Sequence, residues 1–200
     1  MLAPDARLVL ATHNKGKLRE VQALLAPHGI AAVSAGELGL PEPPETGTTF
    51  AENARIKALA AASATSLPAL ADDSGFSVAA LDGAPGVYTA DWAMRPDGTR
   101  DYAMAMEKVN AQCAGSPDMR AWFSCALCLA WPDGRTATFM ARVEGMRIWP
   151  PRGDAGFGYD PMFVPAGGTR TYGEMPAEEK HRDSHRGRAF RQFALACLPR

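Results

Sequence analysis

The 200 residues, 46% of them hydrophobic, are enough to enclose a sizeable core, and they suit one domain spanning residues 1–200. With 21 basic against 22 acidic residues and a net charge of -1, the chain has no basic field for a nucleic-acid backbone, so nucleic acid is not an expected partner. The N-terminus holds no apolar run long enough for a signal peptide or membrane span, which points to a cytoplasmic protein with no membrane partner.

Leu8 to Ala11 reads as a short strand running into Thr12-His13-Asn14-Lys15-Gly16-Lys17, after which Leu18, Val21, Leu24 and Leu25 recur at helical spacing. A strand feeding a loop and a helix N-terminus offers an anion backbone N–H groups and the positive end of a dipole. It is not a Walker loop: Ala11 stands where the first glycine belongs, and Leu18 follows Lys17 where Ser or Thr is needed. Ile30 to Ser34 reads as a second strand, and the Pro- and Glu-rich stretch 36–47 as a loop. Thr49-Phe50-Ala51-Glu52 has the pattern of a capping box, which predicts a helix from Thr49 to about Ala64 with Asn53 and Lys57 on one face.

Pro68 to Asp72 reads as a strand that stops at Asp72-Asp73-Ser74-Gly75 and exposes two carboxylates. Hard oxygen ligands suit Mg²⁺, which uses one or two carboxylates beside substrate phosphates, and a paired carboxylate supplies a base for water. A solvated turn is the plainer alternative. Thr99 to Cys113 reads as a helix. Ala121 to Trp131 and Thr136 to Ile148 read as strands of a hairpin turned by Pro132-Asp133-Gly134. Cys125 and Cys128 lie three apart on the first of these strands and so face opposite ways, which argues for buried reduced thiols rather than a metal or redox pair. A glycine-rich loop follows at 153–161, and Phe190, Phe193, Ala194 and Cys197 give a closing helix its apolar face. Helices alternating with strands predict an α/β fold with a mixed sheet.

Five blocks, in this order, cover nearly the whole chain. They are Thr12 to Lys17; Phe50-Ala51-Glu52-Asn53-Ala54 with Lys57; Asp72 through Tyr88; Gly156-Phe157-Gly158-Tyr159-Asp160-Pro161; and Lys180 with Ser184-His185-Arg186. As a set they resemble the Ham1/RdgB family of inosine triphosphate pyrophosphatases, which hydrolyse non-standard purine nucleoside triphosphates. The resemblance implies a mixed, elongated twisted sheet flanked by helices, in two lobes with a cleft between them, a Mg²⁺ cofactor and a homodimer. It implies hydrolysis of ITP, dITP and XTP to the monophosphate and pyrophosphate. A pyrophosphatase for other modified nucleotides, or a nucleotide-binding module without catalysis, are the alternatives.

Residue by residue, the resemblance makes Asp73 both a Mg²⁺ ligand and the base, with Asp72 a supporting carboxylate. Lys17 and Lys57 are the cations for the phosphates, with Thr12, His13, Asn14, Lys15, Gly16 and Ser74 around them. Phe157, Gly158 and Tyr159 provide stacking faces for a purine, Asp160 an acceptor for a ring N–H, and Lys180, His185 and Arg186 donors to a 6-keto oxygen or to phosphate. Ser184 is expected to cap the last helix. Pro44 stands where many relatives carry an acidic metal ligand, and Glu45 is its nearest substitute. Asp91 and Gly173 are milder departures, at positions where Arg and Ala are usual.

Overall fold

The computed structural model describes residues 1–3 and 6–199. Six strands form one mixed sheet: β1 (Arg7–Leu10), β2 (Ala31–Ser34), β3 (Ala69–Val78), β4 (Arg120–Ala130), β5 (Thr136–Arg147) and β6 (Phe163–Pro165), in spatial order β2-β1-β3-β4-β5-β6. β1 runs parallel to β2 and β3, with Val9 opposite Val33 and Ala69, while β5 and β6 are antiparallel with Met146 opposite Val164. The helices are α1 (Lys15–Leu25), α2 (Phe50–Thr65), α3 (Tyr102–Gln112), α4 (Ala177–Asp183) and α5 (His185–Cys197). The predicted mixed α/β architecture is the one observed.

The chain divides into two compact units built from interleaved segments. The first comprises Met1–Asp73, Cys125–Ala141 and Arg186–Arg200, and the second Ser74–Ser124 and Arg142–His185.

In the first unit, strand alternation sorts the core into two faces. Leu8, Leu10, Leu70, Cys125, Leu127 and Leu129 pack with Val21 and Leu25 of α1 and with Phe190, Phe193 and Cys197 of α5. Val9, Ala69, Ala71, Ala126, Cys128 and Ala130 pack with Ala54, Ala58, Ala61 and Ala62 of α2. Small residues on both partners let α2 lie close to the sheet, and large ones fill the space under α1 and α5. The capping box of α2 is present, with Glu52 N–H donating to Thr49 Oγ1 at 3.2 Å and Thr49 N–H to Glu52 Oε2 at 3.0 Å. Cys125 and Cys128 fall on opposite faces, and all four cysteines are buried and free.

The second unit is centred on Phe76, Val109, Phe123, Val143, Tyr159, Met162, Phe163 and Tyr172. The turn of the hairpin between β4 and β5 belongs to the first unit and closes through Trp131 N–H to Arg135 O at 2.9 Å and Gly134 N–H to Trp131 O at 3.0 Å, with Gly134 at φ 85°.

One local expectation is corrected. The strand does not stop at Asp72; β3 continues through Asp72-Asp73-Ser74-Gly75 to Val78. The Ser-Gly pair carries a turn signature, but β3 lies between β1 and β4 in the sheet, and every residue of the strand except Ser74 is buried. Ladder pairing and burial override the local preference.

Candidate active site

Because β3 remains extended, Asp72 and Asp73 point to opposite faces of the sheet. Asp72 follows Leu70 onto the face of α1 and α5, and Asp73 follows Ala69 and Ala71 onto the face of α2. Both are buried, at 3% and 5% relative exposure.

On the first face, Asp72 Oδ2 accepts from Arg186 Nε at 2.7 Å and from the Cys125 thiol at 3.1 Å, and Asp72 Oδ1 pairs with Lys17 Nζ at 2.8 Å. Arg186 Nη1 donates to Glu20 of α1. Burial is the largest influence on the Asp72 carboxyl and pushes it up, but Arg186 and Lys17 overcome it and hold the group well below the usual aspartate range. The Cys125 thiol, buried beside that carboxylate, is held well above its ordinary value.

On the second face, Lys57 Nζ lies 2.9 Å from Asp73 Oδ1 and 2.6 Å from Glu45 Oε1, and Lys17 Nζ stands 3.9 Å from Asp73. Burial tends to discharge Lys57, yet the two carboxylates keep its affinity for a proton above normal. Burial, opposed by the two lysines and reinforced by the charge of Glu45, raises Asp73. A buried aspartate with increased basicity is suited to taking a proton from water. Asp73 Oδ2 is buried and accepts no hydrogen bond. Asp73 and Glu45 share the Lys57 ammonium, and with Asp73 Oδ2 left over they are hard oxygen donors of the kind that suits a divalent cation completed by waters and phosphate oxygens. Among the described residues, no group of three His, Cys, Asp or Glu converges on a common centre.

The loop before α1 is organised differently from the open anion cradle expected of it. Asn14 caps the helix, its Oδ1 accepting from Gly16 N–H at 2.9 Å and Lys17 N–H at 3.1 Å, so these two donors are already engaged. Thr12 Oγ1 accepts from Asn14 N–H at 3.2 Å, His13 Nε2 sits 2.9 Å from Leu40 O, and Lys15 is exposed. Behind the 40–43 loop, Ala11, His13, Leu40, Pro43, Lys57 and Ala61 border an apolar cavity.

The second unit holds Ser74, which is half-buried, and, apart from Arg186, the residues read as a base pocket. Asp160 Oδ2 accepts from Phe157 N–H at 2.8 Å and from Lys180 Nζ at 2.6 Å, closing the 156–160 loop. A Cβ on Gly156 would come within 2.2 Å of Asp160 Oδ2, which explains a glycine at that turn. Gly158 takes φ 69° beside Tyr102. Lys180 Nζ lies 5.0 Å from the centre of the Phe157 ring, and this ring remains partly exposed. His185 is buried and stacks on Phe123 at 4.8 Å and 10°. Ser184 is buried and extended immediately before α5.

Three of the residues expected around the base make structural contacts in this geometry. Tyr159 is 1% exposed, stacks on Phe76 at 5.1 Å and donates from its hydroxyl to Thr89 O at 3.2 Å, so its ring belongs to the core. Asp160 uses Oδ2 to brace its own loop. Arg186, expected among the donors to a 6-keto oxygen or to phosphate, is 2% exposed and directs its guanidinium to Asp72 and Glu20. Glu20 was not singled out by the sequence reading. Its only local signal is its place three residues after Lys17, on the same side of α1.

A mixed α/β protein with lysines bracketing a buried, partly unpartnered aspartate is equipped for an anionic, metal-associated ligand. The Ham1 family model matches residues 8–196, and the chain belongs to the Ham1 family. It is 57% identical over 197 residues to a dITP/XTP pyrophosphatase of Gluconobacter oxydans (strain 621H), covering 98% of this chain and 93% of that one. It is also 57% identical to the dITP/XTP pyrophosphatase of Rhizobium meliloti (strain 1021), covering 97% of each. Among solved structures, a HAM1 protein from Coxiella burnetii superposes with a TM-score of 0.85 at 39% identity, over 95% of this chain and 97% of that one. A nucleoside-triphosphatase, dITP/XTP pyrophosphatase, from Mycobacterium abscessus gives a TM-score of 0.74 at 39% identity, over 96% and 100%.

Proposed function

We propose that this protein is a nucleoside triphosphate pyrophosphatase that hydrolyses non-standard purine nucleotides, dITP, ITP and XTP, to the monophosphate and pyrophosphate. The observation that carries the chemical part of this reading is Asp73, buried between two lysines with Oδ2 lacking a hydrogen bond. The dITP/XTP activity named for relatives 57% identical over almost the full chain supports the substrate class.

In this reading Asp73 and Glu45 hold a divalent cation, Mg²⁺, which when bound polarises phosphate oxygens and makes a water easier to deprotonate. Lys17 and Lys57, now paired with carboxylates, provide positive charge for the triphosphate. Asp73 accepts a proton from the attacking water. The water oxygen bonds to the α-phosphorus, the bond from that phosphorus to the bridging oxygen breaks, and pyrophosphate leaves. Asp72, locked by Arg186, keeps Lys17 in place. In the second unit the Phe157 ring, with Lys180 beside it, is a stacking face for the purine, a kind of contact worth about 1–3 kcal/mol in single-strand nucleic-acid sites. We further propose that the chain works in the cytoplasm as a homodimer, without nucleic-acid or membrane partners. No helix among the described residues is long and apolar enough to cross a membrane.

The test is pyrophosphate release across a panel of triphosphates. Hypoxanthine and xanthine carry a 6-keto acceptor where adenine carries an amino donor. Each mismatched buried group costs about 1–3 kcal/mol, and two near the middle of that range, about 4 kcal/mol, exceed the roughly 2.7 kcal/mol of a hundredfold preference for dITP and XTP over ATP. Comparable turnover of ATP would overturn the substrate assignment. Reaction in ¹⁸O-water should label the monophosphate, and label confined to pyrophosphate would mean attack at the β-phosphorus.

A further inference from the structure

We infer that Asn53 is a positioning residue that sets Glu45 beside Asp73 by pinning the backbone of Gly47. The inference rests on the metal reading above and deepens it, because Glu45 lies on a Pro-rich loop that has no regular secondary structure. Some contact must determine where its carboxylate goes.

The fastening is visible one residue at a time. Gly47 N–H donates to Asn53 Oδ1 at 2.9 Å, and Thr48 N–H donates to Glu52 Oε2 at 2.8 Å. With Thr49 N–H also on Glu52, three consecutive backbone donors end on side chains from the first turn of α2. Glu52 holds the two residues nearest the helix, as a capping box does. Asn53 holds the residue farthest from it, only two positions after Glu45. Asn53 is 2% exposed, so its acceptor is shielded from competing water. One turn further along the same face of α2, Lys57 meets the Glu45 carboxylate at 2.6 Å and Asp73 at 2.9 Å. A single helix face thus fixes the loop backbone through Asn53 and receives the loop's carboxylate at Lys57.

The fit at Gly47 is close. A Cβ there would lie 2.6 Å from Glu52 Cβ and 2.7 Å from Asn53 Oδ1. The loop can approach the helix this closely only with glycine at that position, so Gly47 and Asn53 form one latch.

Mn²⁺ binding to the metal-free, nucleotide-free protein, followed by electron paramagnetic resonance, reads the site without turnover. Asn53→Leu removes the acceptor at similar size and should weaken Mn²⁺ binding by about ten- to a hundredfold, the usual range when a group supporting a metal ligand is lost. Asn53→Asp keeps an acceptor oxygen and should restore most of the affinity. A role confined to helix stability would lower the melting temperature while leaving Mn²⁺ affinity unchanged, and that result in a folded Asn53→Leu protein overturns the inference. Should Asn53→Leu fail to fold, hydrogen exchange on the wild type decides. The Gly47 amide should exchange more slowly than that of Glu45, and equally fast exchange overturns the latch. Absence of Mn²⁺ binding in the wild type would overturn the metal reading itself, an outcome distinguishable from loss in the variant alone.

Discussion

Asp73 and Asp72 are neighbours with opposite circumstances. Asp73 faces α2, has an oxygen without a donor and is raised by burial, whereas Asp72 faces α1 and α5 and is held low by Arg186 and Lys17. Asp73→Asn keeps the shape but removes charge and basicity, so turnover should drop by about 10²–10⁴ while circular dichroism remains that of the folded protein. Near wild-type turnover would exclude Asp73 as the base. Asp72→Asn should instead act on stability. It leaves the buried Arg186 guanidinium with Glu20 as its carboxylate partner, and breaking a buried pair costs about 3–5 kcal/mol, measurable by urea unfolding. The sign of its pH dependence follows from the lowered carboxyl. Asp72 binds a proton less readily folded than unfolded, so its contribution is complete above the ordinary aspartate value of 3.8 and is lost as pH falls through the native value. The variant should therefore show a shallower loss of stability in acid than the wild type, and parallel acid limbs would contradict the pairing.

The elements that position these residues were readable to different degrees. Thr49 caps α2 and Glu52 closes the box, as the pattern Thr-Phe-Ala-Glu implies, because every interaction involved spans three residues. Thr49→Ala should destabilise the protein by about 1 kcal/mol in denaturant titration, with no change in the urea dependence expected for an intact fold. No loss of stability would mean that the helix start is held by the Gly47 and Thr48 contacts alone. The Asn14 cap was less legible. Asn before Lys-Gly-Lys suits an N-cap and the basic run suits an anion, and the structure uses Gly16 and Lys17 N–H for the cap. β3 was the least legible: an Asp-Asp-Ser-Gly sequence has every local reason to turn, and its burial as an inner strand of the sheet keeps it extended.

For the molecule as a whole, the long hairpin bears on assembly. Along β5, Thr138, Met140, Arg142, Glu144 and Met146 alternate outward, with Met140 and Met146 53% and 52% exposed. A strand face with two half-exposed methionines flanking Arg142 and Glu144 is suited to self-association. Sedimentation at micromolar concentration should give a species of twice the 21.3 kDa chain mass, and a purely monomeric species would contradict the homodimer.

By itself the sequence determined what depends on near neighbours: the capping box, the Pro-Asp-Gly hairpin, the alternation that separates Cys125 from Cys128, and the apolar face of α5. It also carried the five blocks by which the family was legible. It did not determine which charges would meet. Asp72 and Arg186 are 114 residues apart, and Arg186 and Glu20 are 166 apart. No spacing rule acts over such separations. A guanidinium that the resemblance made a donor to a 6-keto oxygen or to phosphate sits on a buried carboxylate, because α5 packs on the sheet face that Asp72 shares with Leu70. Charges removed from water must be paired, and the pairing was decided by which face of β3 each side chain occupies.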